Sequence, residues 1–411
     1  MNKLLLILLC LPMIGFGQGW EQTFGGAGDE FGNSVQQTTD GGYIICGNIG
    51  NGDPFSGHFD IYLLKTDVNG VEQWNQTFGN INTSEQAYSV QQTSDGGYII
   101  TGYRIDTTIF NVEVWLIKTD NNGNTQWEQT FANASSFSVQ QTFDGGYIIS
   151  GSCGGEGFLL KTDTNGQEQW TNTYNSGSGY KSQQTSDGGY ILMTDAAGCS
   201  GYQLIKTDAD GIEQWNQTMS VGGGDVLRFG NVEQTSDGGY VIITDVEGVS
   251  PQSEGVANCI IKTDANGIEQ WVQCYDTIVS NSILAWGNGQ QTFDGGYIVS
   301  GGLVVFGGGS VESDVYLLKT DANGVEQWRR TFGGIGTSEV GYAVQQTIDG
   351  GYIITGTTNY DLTGYGNSQS NIYLIKTDAN GNATFILNIP IDPNRKLQKT
   401  VDILAKETKP Q

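Results

Sequence analysis

The chain is predicted to be all-β, built from seven four-stranded antiparallel units closed into a ring, on three observations. A stretch that in its first copy spans 34–74, SVQQTTDGGYIICG followed by a loop and DIYLLKTDVNGVEQW, is rewritten seven times along 411 residues. Two fixed pieces mark every copy: the turn Asp-Gly-Gly-Tyr, at Asp40, Asp95, Asp144, Asp187, Asp237, Asp294 and Asp349, and the run Lys-Thr-Asp, at Lys65, Lys118, Lys161, Lys206, Lys262, Lys319 and Lys376. The composition, 62 Gly against 6 Pro with abundant Tyr, Trp, Thr and Ile, is that of a turn-rich β protein rather than a disordered chain. A period of roughly fifty residues overrides the two or three domains that length alone would suggest, because such units bury their apolar faces only by stacking on one another. Four-stranded units stacked radially make a β-propeller, here of seven blades.

Each copy holds four short β runs, which in the second copy fall at 89–93, 98–101, 114–118 and 125–131. Asp-Gly-Gly closes the first hairpin, since glycine takes the positive φ of a short hairpin turn without strain. Asp-x-Asn-Gly, as at Asp67 to Gly70 and Asp321 to Gly324, closes the second as a type I turn followed by a left-handed bulge residue. The other connections drift: 47–59, 151–157 and 356–370 between the second and third runs, and 79–88, 220–231 and 276–289 between copies. Both tight turns then lie at one end of every blade and both variable connections at the other. The N-terminal piece Trp20-Glu21-Gln22-Thr23-Phe24 matches the fourth run yet precedes the first full copy. It is expected to cross the seam as the outer strand of the seventh blade, in preference to the rival segment 383–388.

Residues repeated at one register read first as architecture. Trp20, Trp74, Trp127, Trp170, Trp215, Trp271 and Trp328 are expected to plug the gap to the adjacent blade rather than form a ligand-stacking ring. The seven Lys-Thr-Asp lysines are expected to pair with acids across the nearby hairpin, as Lys65 with Glu72. The Gln-Gln pairs of the first runs, such as Gln36-Gln37 and Gln345-Gln346, should border a central channel, with one Gln per blade in a hydrogen-bonded ring.

The formal charge of −26 rests on only 18 basic residues. Seven of these are the repeated lysines and five lie in the tail (Arg395, Lys396, Lys399, Lys406 and Lys409), leaving Arg104, Lys181, Arg228, Arg329 and Arg330 in the repeats. No basic stripe exists to neutralise phosphates, so nucleic acid and anionic membranes are not the expected partners. Residues 1–17, with Lys3, an apolar run 4–16 and Gly15-Phe16-Gly17 before Gln18, read as a signal peptide, too short for a membrane anchor. Cys10 follows Leu9, where a lipoprotein signal wants a small residue. No later segment is long and apolar enough to span a membrane. Signal removal leaves Cys46, Cys153, Cys199, Cys259 and Cys274, an odd number. Cys153 and Cys199 fall in corresponding loops of adjacent copies, either bridged or as two free thiols.

The pattern QQTxDGGYIIxG…DxYLIKTDxNGxEQW resembles exported propeller repeats of bacteria that use type IX secretion, and it covers about 20–381. Its half YLLKTDxNGxxQW also resembles quinoprotein-like propellers. The tail Arg395-Lys396-Leu397-Gln398-Lys399 through Pro410 resembles the opening of a type IX sorting domain, with Ala405 where that motif has Gly. The resemblance implies a signal peptide at 1–17, a propeller at 18–390 and a linker with a partial sorting-domain-like tail at 391–411. It also implies recognition of the tail by the type IX export machinery, and a secreted or cell-surface location with the periplasm as fallback.

Catalytic chemistry is sparse. His58 is the single histidine, so no second imidazole exists for a nucleophilic triad, and no zinc ligand set has sensible spacing. A quinoprotein would bring adjacent cysteines and a sialidase an arginine cluster, and neither occurs. Calcium at Asp-x-Asn-Gly is conceivable, although that motif is shorter than a full calcium loop and works as a plain turn. No cofactor is otherwise expected. Function on repeat folds lies where insertions cluster, so the variable face is the candidate site, with Asp53, Phe55, His58, Tyr103, Arg104, Arg228, Phe229, Trp286, Tyr360 and Tyr365. The expected function is a non-catalytic binding or adhesion module for an extracellular glycan or protein. An extracellular polysaccharide hydrolase or lyase using loop carboxylates is the alternative, and a quinoprotein-like oxidoreductase a remote one.

Overall fold

The two glycines of each Asp-Gly-Gly-Tyr turn have different duties. Gly41 takes φ +84° with open space around it, whereas a Cβ on Gly42 would stand 2.2 Å from the Thr66 carbonyl oxygen. The turn closes through Gly41 N–H to the Thr38 carbonyl and Thr38 N–H to that of Gly42, both 2.9 Å. In the second hairpin Gly70, at φ +75°, follows a turn in which Asp67 Oδ1 accepts from the amides of Asn69 and Val71. Both turns thus follow the backbone rules expected of them, and they set the strand pairing of every copy.

The computed structural model describes residues 19–383 apart from 27, 51–57, 110, 197–200, 220–225, 248–255, 276–281, 308–309, 335–336 and 360–368. The strands form seven antiparallel sheets of four. Blade one runs Glu30–Gln37, Tyr43–Gly50, Phe59–Thr66 and Glu72–Phe78, inner strand first, and blades two to six repeat that order within 83–132, 134–174, 179–219, 226–275 and 282–332. Blade seven takes Val340–Gln346, Tyr352–Thr358 and Asn371–Thr377 from the end of the repeats and Trp20–Phe24 from the start. Trp20 pairs with Lys376 and Phe24 with Ile372, so the N-terminal strand closes the ring. In blade six the connection between second and third strands is an extended hairpin, its ladder continuing to Gly307 and Ser310. No helix among the described residues is long and apolar enough to cross a membrane.

Both faces of each sheet are covered by the neighbouring blades, so the second and third strands are mostly apolar and buried on both faces rather than alternating. The repeated tryptophans are plugs. Each packs its ring on the tyrosine of the next blade's Asp-Gly-Gly-Tyr turn, at centroid distances of 5.7–5.8 Å from Trp20–Tyr43 to Trp328–Tyr352. The same rings roof the left-handed glycine of the next blade's second turn, where a Cβ would stand 2.6 Å from Trp20 at Gly70 and 2.5 Å from Trp328 at Gly381. One turn glycine therefore serves both a backbone conformation and a packing contact.

The lysines pair differently from expectation. Lys65 Nζ lies 2.9 Å from Asp40 Oδ2 of the first turn, not on Glu72, and the other six repeat this with Asp95, Asp144, Asp187, Asp237, Asp294 and Asp349 at the same distance. Lys65 also donates to the Thr66 carbonyl and to Gln73 Oε1. The reason is the direction of the side chain: it runs inward beneath the turn, only 3% exposed, whereas the Glu72 carboxylate is exposed. The cysteines form one bond that was not expected and leave Cys153 as the free-thiol alternative had it. Cys259 and Cys274, directly opposed on adjacent strands of blade five, form a disulfide. Cys153 is a free thiol, as is the buried Cys46, while Cys199 lies outside the described residues.

Candidate functional site

The inner strands build a channel on the ring axis by clamping each blade to the next. Gln36 Oε1 accepts the Gln92 amide at 2.6 Å, and Gln92 Oε1 accepts the Thr39 amide at 2.8 Å, so two glutamines lock one junction reciprocally. All seven junctions carry this pair of bonds, including the seam, where Gln37 N–H donates to Gln345 and Ile348 N–H to Gln37. The glutamine ring is therefore doubled. In blade five Glu233 stands in the first glutamine's place and accepts the Gln291 amide at 2.8 Å.

Inside these clamps lies a cavity of about 260 Å³, whose wall at one level is Ser34, Ser89, Ser138, Lys181 and Asn231. Lys181 and Glu233 are the charged residues of this wall. Burial lowers the Lys181 pKa against the pull of Cys46 and Glu233. Burial likewise raises that of Glu233 against the Gln291 amide and Lys181. The two charges thus partly offset each other across the channel.

One residue nearer the variable connections, the inner strands slip register. The extra residue is Asn33 between Gly32 and Ser34, Tyr88 between Ala87 and Ser89, Phe137 between Ser136 and Ser138, Tyr180 between Gly179 and Lys181, and Tyr342 between Gly341 and Ala343. A bulge residue leaves the pleat and its side chain is re-aimed. Three adjacent blades use this to bring aromatic rings together at the channel mouth. Tyr88 stacks on Tyr103 at 5.8 Å and 29°, Phe137 meets Tyr88 edge-on at 5.2 Å, and Tyr180 follows Phe137 at 6.3 Å. The hydroxyls are anchored, Tyr88 on Gln86 Oε1 at 2.5 Å and Tyr180 on Asp195 Oδ2 at 2.7 Å. The result is a rigid crescent of four half-buried rings, Tyr103-Tyr88-Phe137-Tyr180, on the variable face.

Of the residues expected on this face, Tyr103 stands in the crescent. Arg104, next to it, is held by Glu113 through Nε at 3.1 Å and Nη2 at 3.0 Å, with its guanidinium 5.7 Å from the Trp115 ring centre. His58 lies at the junction of blades one and two with Nδ1 3.2 Å from the Thr83 carbonyl oxygen. Arg228, Phe229 and Trp286 fall within the register breaks of blades five and six, the strand level of the crescent. Asp53, Phe55, Tyr360 and Tyr365 lie outside the described residues. Sequence reasoning missed Tyr88, Phe137 and Tyr180 because each precedes a regular run and reads as the end of a variable connection. An aromatic at that same offset in three consecutive copies was the available signal.

No family model and no curated protein matches the chain. Among solved structures, the Dos1 propeller is 11% identical, with 90% of this chain and 97% of that one covered and a TM-score of 0.51. A protein of unknown function from Dyadobacter fermentans is 9% identical, with 88% of this chain and 98% of that one covered and a TM-score of 0.50. Likeness at such identities is one of fold, and with seven four-stranded sheets closed by the N-terminal strand the chain is a seven-bladed β-propeller.

Proposed function

We propose that this protein is an exported, non-catalytic propeller that acts as a binding or adhesion module for an extracellular glycan or protein, engaged on the variable-connection face. The observation that carries the reading is the crescent Tyr103-Tyr88-Phe137-Tyr180 at the channel mouth. Rigid rings with anchored hydroxyls offer apolar faces at low entropic cost, which suits the C–H faces of sugars and the side chains of a protein surface. The charge of −26 argues against phosphate-rich partners. Export rests on the apolar run at 4–16, and delivery to the cell surface on the likeness of the tail at 395–410 to a type IX sorting domain.

The test is a glycan array probed with the full secreted chain and with a Tyr88→Ala/Phe137→Ala variant, followed by product analysis on each bound polysaccharide. Binding without cleavage, lost in the variant, is the expected result. Cleavage products overturn the non-catalytic reading, and binding untouched by the variant overturns the assignment to this face. Silence on every glycan moves the search to protein ligands captured by the same face.

A further inference from the structure

Three of the seven blade junctions hold a pair of facing oxygens that the aromatic face does not use. Between blades one and two Asp60 faces Glu85, between six and seven Asp314 faces Glu339, and between seven and one Asn371 faces Glu30. The same glycine marks each place. A Cβ on Gly79 would stand 2.0 Å from Asp60 Oδ1 and 2.8 Å from Glu85 Oε2, and one on Gly333 2.1 Å from Asp314 Oδ1 and 2.8 Å from Glu339 Oε2. On Gly25 it would stand 2.0 Å from Asn371 Oδ1 and 2.7 Å from Glu30 Oε2. Each pair of oxygens therefore gathers at one point, and only a glycine leaves room for it.

The parts travel together in the sequence. Where an outer strand ends Phe24-Gly25, Phe78-Gly79 or Phe332-Gly333, Glu30, Glu85 or Glu339 stands at the start of the next inner strand and Asn371, Asp60 or Asp314 in the preceding third strand. The other four outer strands end Phe131-Ala132, Tyr174-Asn175, Met219-Ser220 and Tyr275-Asp276; no glutamate stands at the matching inner-strand place, and the third-strand place holds Glu113, Glu156, Gly201 and Ala257. The glycine, the inner-strand glutamate and the short Asp or Asn side chain thus occur together, and the copies that lack the glycine and glutamate keep at most a longer Glu at the third place.

The glutamates supply a second, independent observation. Glu30, Glu85 and Glu339 are 1%, 0% and 3% exposed, and Oε2 of each is buried with no hydrogen-bond partner. Their Oε1 atoms are satisfied, by Gly26 N–H at 3.0 Å, the Thr83 hydroxyl and the Thr358 hydroxyl at 2.7 Å. Asn371 spends Nδ2 on the Gln369 carbonyl at 3.2 Å and turns Oδ1 toward Glu30. At all three places a buried glutamate oxygen faces a second oxygen on a partly exposed Asp or Asn side chain, an arrangement that is unfavourable unless positive charge lies between. Arg104 and His58 stand near the first pair, but the Arg104 side chain donates to Glu113. Around Asp314 the acting charges are Glu339 and Glu312, both negative.

We infer that these three junctions are divalent-cation sites of the calcium class, each bridging two blades through the glutamate Oε2 and the facing Oδ1. Calcium takes six to eight oxygens in irregular geometry, so backbone carbonyls and water complete a shell that two side chains begin, whereas magnesium demands a near-ideal octahedron. The junctions are consecutive, six–seven, seven–one and one–two. Calcium at Asn371 and Glu30 joins the two ends of the chain across the seam, and the other two sites brace the blades on either side of it. The rival occupant is a shared proton, and it makes the opposite prediction for glutamine variants, because a glutamine N–H replaces that proton.

The test uses the full chain, stripped with chelator and dialysed against about 10 mM calcium, above the ~0.1–1 mM dissociation constants of extracellular calcium modules. Bound calcium is counted by atomic emission and the unfolding midpoint recorded with and without the ion. Up to three ions per chain and a calcium-raised midpoint are expected, both lost in Glu30→Gln/Glu85→Gln/Glu339→Gln. Glu339→Gln alone, expected to hold fewer ions than the parent, keeps the test open where the triple variant does not fold. No retained calcium, equal retention by the variants, or a calcium-blind parent no more stable than its glutamine variants overturns the inference.

Discussion

Replacing Trp20 with alanine tests whether the N-terminal strand holds the ring shut. The Trp20 ring is 4% exposed, packs 5.7 Å from Tyr43 of blade one, covers Gly70 and donates Nε1–H to the Val68 carbonyl at 3.3 Å. Its strand is held to Asn371–Thr377 by a five-residue ladder, so no peptide bond crosses the seam. Truncating a buried tryptophan to alanine costs about 3–5 kcal/mol in lost transfer energy and residual cavity. Trp215→Ala removes the equivalent plug between blades four and five, from an outer strand that a hairpin joins to the third strand of its own blade. Both are expected to lower equilibrium stability by similar amounts, but Trp20→Ala should unfold faster, since the seam can open without strain elsewhere. Urea titration with stopped-flow unfolding measures both quantities. A loss under about 1 kcal/mol for Trp20→Ala beside several for Trp215→Ala would refute closure by this strand.

Three further outcomes follow from the repeated contacts. Asp95→Ala strips a half-exposed carboxylate from the buried Lys118, which keeps the Thr119 carbonyl and Gln126, and is expected to cost about 1–2 kcal/mol by urea titration, whereas Glu72→Ala should stay within ~0.5 kcal/mol. Burial raises the Asp95 and Asp237 carboxyls, but the hydroxyls of Thr93 and Thr235, the lysines and turn amides outweigh it and hold both at about 2. The unfolded chain then binds more protons, so the stability they add is present above their ordinary value of 3.8 and is lost as pH falls toward about 2. An unfolding midpoint unchanged between pH 5 and pH 2 would contradict this, pH 5 to 2 being roughly the window in which paired carboxylates titrate. Finally, Gly41→Ala meets open space and should cost only the ~1–2 kcal/mol of a left-handed residue. Gly42→Ala, with its Cβ 2.2 Å from the Thr66 oxygen, should cost more, and the reverse order in thermal melts would sink the account of the turn.

The ring was legible because its constraints recur at fixed offsets, and the departures show what such a reading misses. Lys65 was matched to Glu72, its neighbour across the hairpin, yet the second copy has Thr125 at that place while all seven copies keep the turn aspartate beside the lysine. Agreement among copies pointed to Asp40, and proximity along the chain pointed elsewhere. The disulfide was hidden for a related reason: Cys259 and Cys274 oppose each other only once the third and outer strands of one copy are laid in register. The aromatic crescent escaped because a bulge interrupts the two-residue alternation that marks a strand, so Tyr88, Phe137 and Tyr180 read as connection. The paired oxygens escaped because Asp60, Gly79 and Glu85 belong to three segments that only blade stacking brings to one point. Copies of a repeat therefore act as an internal alignment with two uses. Positions shared by all seven report what every blade needs to stand, and positions shared by three adjacent blades report what those blades do together.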